Sequence, residues 1–87
     1  MNKFVINERY KMVVYDPSVR TDCTIHYVKC VGKTGKFVSF EHVNGIRIKK
    51  KIRTCAWGEF VEFSTSKSKH TLVSFNVLIL ALDKIIG

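Results

Sequence analysis

The chain holds 87 residues, 46% of them hydrophobic, and fifteen Lys and Arg against seven Asp and Glu give a formal charge of +8. One domain over residues 1–87 is expected, burying roughly 60–65% of the extended chain's surface with a thin stability margin that a second copy of the chain could widen. Lys3, Glu8 and Arg9 break up any secretory leader, and no apolar run nears the ~20 residues of a membrane-spanning helix. Three cysteines (Cys23, Cys30, Cys55) build no dense disulfide framework, so the expectation is a cytoplasmic chain with reduced thiols and no membrane insertion.

Strand signals dominate the chain. Residues 4–6 and 10–15 are rich in β-branched and aromatic side chains and close at the turn Asp16-Pro17-Ser18. Residues 24–31 form the next run, Gly32-Lys33-Thr34-Gly35 its turn, and residues 37–43 the strand that follows. Asn44-Gly45 is the strongest hairpin signal, because both residues tolerate the positive φ of a type I′ turn. That turn would pair Val43 with Ile46, and hence His42 with Arg47, Phe40 with Lys49 and Val38 with Lys51. Residues 46–53 are the returning strand. Trp57-Gly58 reads as a bend, residues 59–65 as a strand and residues 64–69 as a polar loop. Residues 72–82 admit two readings. Their β-branched content favours a strand, chiefly at 72–77, whereas Leu72, Phe75, Ile79, Leu82 and Ile86 could line a helical stripe. Five or six short strands point to an all-β fold, a small barrel with an SH3-like topology ahead of an OB-like one, since closure removes exposed sheet edges.

The returning strand carries the clearest functional signal. At a two-residue period Ile46, Ile48, Lys50 and Ile52 share one face, and Arg47, Lys49, Lys51 and Arg53 share the other at about 6.5 Å spacing. Between Lys29 and Arg53 there are eight basic residues and one acid, Glu41, a local charge of +7. A field concentrated in this way attracts polyanions, although the same charges also serve as a solvated face. In the hairpin pairing above, Phe40 lies beside the lysines, either as a stacking platform or covered by a neighbouring layer. Most aromatics are expected to fill the core; Trp57, next to Gly58 at a bend, is the best exposed one.

Catalytic and metal patterns are weaker. Gly32-Lys33-Thr34-Gly35-Lys36 suggests a phosphate loop, but the glycine required five residues before Gly32 is Tyr27, and a strand follows where a helix should. The motif reads instead as a tight hairpin whose Lys33 and Lys36 could touch phosphates. Cys23, His26, Cys30 and Cys55 offer donors for zinc without a paired CxxC, and along an unbroken strand Cys23 and His26 point to opposite faces. Glu59 and Glu62 read as solvent-facing acids near a strand end, and Asp16 and Asp22 bracket a turn. No catalytic residue, metal or cofactor is assigned.

The segment Tyr27-Val28-Lys29-Cys30-Val31-Gly32-Lys33-Thr34-Gly35-Lys36-Phe37-Val38-Ser39-Phe40, with Gly45 and the basic strand at 46–53, resembles a pattern in small uncharacterised β-domain proteins of phages and bacterial mobile regions. The resemblance covers about the middle half of the chain through short, degenerate motifs. It implies a compact β-domain with a phage-linked role and transfers no catalytic residue. The expected function is a non-catalytic module that contacts the phosphates of DNA or RNA with weak sequence specificity, through Lys33, Lys36, Arg47, Lys49, Lys51, Arg53 and Trp57. The alternative is a protein-interaction or inhibitor domain, or a structural accessory protein, using the basic strand or the apolar Leu78-Ile79-Leu80 to bind a host protein or a second copy.

Overall fold

The computed structural model describes residues 2–16, 19–66 and 74–85. Seven strands run through them: β1 (Arg9–Asp16), β2 (Val19–Lys33), β3 (Phe37–His42), β4 (Arg47–Lys51), β5 (Arg53–Cys55), β6 (Gly58–Ser66) and β7 (Ser74–Ile85). They form one antiparallel sheet in the order β4-β3-β2-β1-β7-β6-β5. The expected turn at Pro17-Ser18, the end of the polar loop at 67–69, and Leu72 and Ile86 lie outside the described residues.

The all-β expectation holds, but the sheet is curled and open, with seven strands in place of a closed five- or six-stranded barrel. Its two edges, β4 and β5, are consecutive in the chain and joined by Ile52 alone. The backbone of Ile52 still bonds to the β3 side, donating to Lys36 O at 2.8 Å, and then leaves for the opposite edge. No ladder joins β4 to β5 or β6 among the described residues, so side chains span the gap: the Lys50 ammonium lies 4.4 Å from the centroid of the Phe63 ring on β6. A lysine pointing inward from an edge strand also discourages pairing with foreign strands.

Alternation decides which residues form the core. Tyr10 of β1, Val28 and Cys30 of β2, Val38 and Phe40 of β3, Val61 of β6 and Ile79 and Ala81 of β7 all face inward and are buried. β7 is strand from end to end, so the helical alternative for its C-terminal part is excluded. Pairing with β1 on one side and β6 on the other imposes a period of two that turns Val77 and Ile79 to the core, and Ala81, in the stretch where the β1–β7 register shifts, is buried as well.

The N-terminal segment is a strap and not the strand expected at 4–6. Phe4 is 2% exposed and packs edge-to-face on Tyr10 and Phe40, at centroid distances of 5.0 and 5.1 Å. Each such contact adds about 0.5–1.5 kcal/mol to the burial of its rings. The strap's backbone bonds outward to other elements: Val5 N–H donates to the Tyr10 hydroxyl at 2.8 Å, and Asn7 N–H to Cys30 O at 2.7 Å. Asn2 forms an isolated parallel bridge with Gly58 and accepts from Glu59 N–H at 2.8 Å. Only glycine fits at 58. Its φ is +128°, and an added Cβ would stand 2.3 Å from Asn2 O.

Two local irregularities set which way the middle of the chain faces. In β2, Cys30 opposes Phe40 but Gly32 opposes Ser39, leaving Val31 as a bulge that reverses the side-chain alternation beyond it. The β3–β4 hairpin differs by one residue from the expected register. His42 N–H donates to Ile46 O, Gly45 N–H donates to His42 O, and only Gly45 takes a positive φ, +87°. This is a three-residue loop, a type I turn followed by a left-handed glycine, in place of type I′. The Asn44 side chain stabilises it by accepting from Ile46 N–H at 3.0 Å. Phe40 consequently pairs with Ile48, Ser39 with Lys49 and Phe37 with Lys51.

Candidate nucleic-acid interface

On β4, Arg47, Lys49 and Lys51 are exposed on the outer face of the sheet, while Ile48 and Lys50 turn inward. Arg53, past the Ile52 corner, is exposed as well. The register shift replaces the aromatic neighbour of these cations. Phe40 is fully buried, which overturns its reading as a stacking platform, and Phe37 takes the outer face instead, with the Lys49 ammonium 5.3 Å from its ring centroid.

Across β3, whose outer face carries Phe37, Ser39 and Glu41, the sheet register places further cations on β2 and β1. Arg47, Glu41, Lys29 and Arg9 are successive partners in one row across β4, β3, β2 and β1. Next to that row, Lys11 of β1 pairs with Tyr27 of β2, which is 51% exposed. Arg9, Lys11 and Tyr27 lie outside the sequence-predicted set. Their signal was the alternation in β1 and β2, where Tyr10, Met12 and Val28 face inward.

The cations differ in what holds them. Arg47 Nε is 2.8 Å from Glu41 Oε2, with the arginine side chain 70% exposed. Arg53 lies 3.8 Å from Glu62 Oε1, and its guanidinium carbon is 5.4 Å from the Phe60 centroid. Lys36 is exposed at the tip of the β2–β3 hairpin. Lys33 is placed differently: the Val31 bulge turns it inward, where its ammonium donates to Glu59 Oε1 at 2.7 Å and Phe4 O at 3.0 Å. Glu59 also accepts from Phe4 N–H at 2.9 Å, so it is a half-enclosed clamp on the strap and not the solvent-facing acid expected. Trp57 is 67% exposed in the β5–β6 turn, on the far side of the sheet order from β1–β3.

The candidate donor residues do not converge. Cys23 is exposed, Cys30 buried and Cys55 intermediate, and among the described residues no three His, Cys, Asp or Glu side chains form a metal-sized group. Burial pushes the Cys30 thiol up, the opposite of what a thiolate nucleophile needs. The His26 and His42 rings stand 5.1 Å apart on the inner face. His42 also lines an apolar cavity of about 230 Å³ with Met12, Val14, Ile48, Phe63 and Val77. No family model, curated protein or solved structure matches the chain.

Proposed function

We propose that this protein is a nucleic-acid-binding module that contacts the phosphate backbone through the outer face of β1–β4, with weak sequence specificity. The observation that carries the reading is the shared face of Arg9, Lys11, Lys29, Arg47, Lys49 and Lys51, with Glu41 as the carboxylate among them. Lys29 and Arg9 are direct cross-strand neighbours about 4.8 Å apart, Arg47 stands two strand spacings from Lys29 with Glu41 between them, and successive cations along β4 are about 6.7 Å apart, a spacing suited to a polyanion. Base reading has no evident device here, since phosphate contacts position a nucleic acid without specifying its sequence.

The test is a fluorescence-anisotropy titration of labelled DNA and RNA at two salt concentrations, with the native protein and the R47A/K49A/K51A/R53A variant. Four phosphate contacts give a log–log salt slope of about −3 to −4, so a threefold rise in salt weakens binding roughly 20- to 60-fold. The variant, checked for folding by circular dichroism, loses that binding. Glu41→Gln removes the carboxylate beside Arg47 and strengthens it. Absence of binding at low salt removes the reading and turns the search to protein partners. Val43, 86% exposed, and Ile46, 61% exposed, favour that second reading, because both lie in the loop at the end of the apolar cavity's β3–β4 wall.

A further inference from the structure

Resting on that reading, we infer that the bound form is single-stranded, with bases stacked on Tyr27 and Phe37 while the flanking cations hold the phosphates. Charge alone does not discriminate between strands and duplexes; the aromatic side chains and the width of the face do.

Tyr27 and Phe37 are 51% and 38% exposed on the face that carries the cations. Each has a lysine as its direct cross-strand partner, Lys11 for Tyr27 and Lys51 for Phe37. A seven-stranded sheet has one inner face, and the core already occupies it with Phe4, Tyr10 and Phe40. The two outer rings therefore add nothing to that core. Exposed rings beside cations are what a strand with unpaired bases uses, because every base has a π-face. The Lys49 ammonium now over Phe37 holds that ring at the surface, and an incoming base can share the ring with it.

The spacing fits a short strand. Phe37 lies four positions along β3 from Glu41, and Tyr27 two positions along β2 from Lys29, the partner of Glu41, in the opposite direction. Six positions at about 3.4 Å place the rings about 20 Å apart, on either side of the Arg47–Glu41–Lys29–Arg9 row. That row then meets the backbone between two stacked bases, a few nucleotides apart.

A duplex can meet the same surface through its phosphates alone. β1 to β4 span three inter-strand gaps of about 4.8 Å, or about 14 Å before side chains are added, against a major groove of about 12 Å. The sheet cannot enter the groove, and paired bases offer the rings no face.

The experiment compares three probes on the native protein: a labelled 12-nucleotide DNA strand, the same strand with abasic sites throughout, and its duplex. The intact strand should bind at least about tenfold tighter than the abasic one, which keeps the phosphates and loses the stacking. Y27L and F37L retain apolar bulk and fold stability, and each should weaken single-strand binding roughly 5- to 150-fold with little change for the abasic strand. Equal affinity for intact and abasic strands, or for strand and duplex, overturns this inference and leaves the phosphate-binding reading intact. Failure of all three probes to bind at low salt overturns both. The native-protein comparison needs no variant, so a misfolded substitution cannot obscure the result.

Discussion

The inner and outer faces of the β2–β4 half of the sheet use the same residue type for opposite purposes. On the inner face, Lys33 bonds to Glu59 and the strap, and Lys50 lies over Phe63 to span the open seam. On the outer face, Lys49 and Lys51 are exposed on either side of Phe37, the Lys49 ammonium 5.3 Å from its ring centroid and Lys51 its cross-strand partner. Adjacent positions in one run of lysines thus belong to different parts of the molecule. Charge counted along a sequence overstates the charge a surface presents, and the correction comes from strand parity and one bulge.

The two phenylalanines of β3 test this contrast most sharply. Phe40→Ala should cost about 3–5 kcal/mol, as expected for truncating a buried aromatic. Phe37→Ala should cost under about 1 kcal/mol, because its ring is partly in solvent. Urea denaturation measures both, and comparable losses would mean that the hairpin register is wrong. Next in size is Gly58→Ala, where the left-handed backbone and the clash with Asn2 together predict a loss of about 2–4 kcal/mol.

The lysines should separate by less. Lys33→Met leaves the Glu59 carboxylate half-enclosed without its countercharge and should cost about 1–3 kcal/mol, less than a fully buried pair because both partners keep some solvent. Lys49→Met should change stability by under about 0.5 kcal/mol. Equal effects would erase the distinction between the faces. The smallest effect is on pH dependence. Burial raises both the Cys30 thiol and the Tyr10 phenol above their ordinary values of 9.0 and 10.0. The folded chain therefore keeps protons that the unfolded chain releases, so this stabilisation is whole below about pH 9 and falls as pH climbs through the folded values. A urea midpoint that stays flat between about pH 8 and pH 10.5 would contradict it.

The sequence made the outer-face alternation of β4 readable because a period of two survives any register: Arg47, Lys49 and Lys51 fall together whichever residue they oppose. Register itself was not readable. Asn-Gly suits a type I′ turn, but here the Asn44 side chain caps Ile46 and leaves the left-handed conformation to Gly45 alone. The Val31 bulge left no mark beyond an ordinary glycine at 32, so Lys33 read as a surface amine. Residues 4–6 have strand composition, yet their backbone partners are single groups spread over β1, β2 and β6, which no local pattern encodes. Closure into a complete barrel was inferred from strand number; the chain instead crosses from one edge to the other at Ile52.

The strap has a consequence for the order of folding. Its links to Trp57 and Glu59 join residues 55 positions apart in sequence. Loop closure of that length must be met before the bonds form, and β-rich folds dominated by such contacts reach the native state in milliseconds to seconds. During synthesis at about 5–20 residues per second, the partner segment follows the strap by about 3–11 s. Throughout that interval the backbone of Phe4 lacks its clamp, and the nascent chain carries an exposed aromatic strap that the folded protein hides.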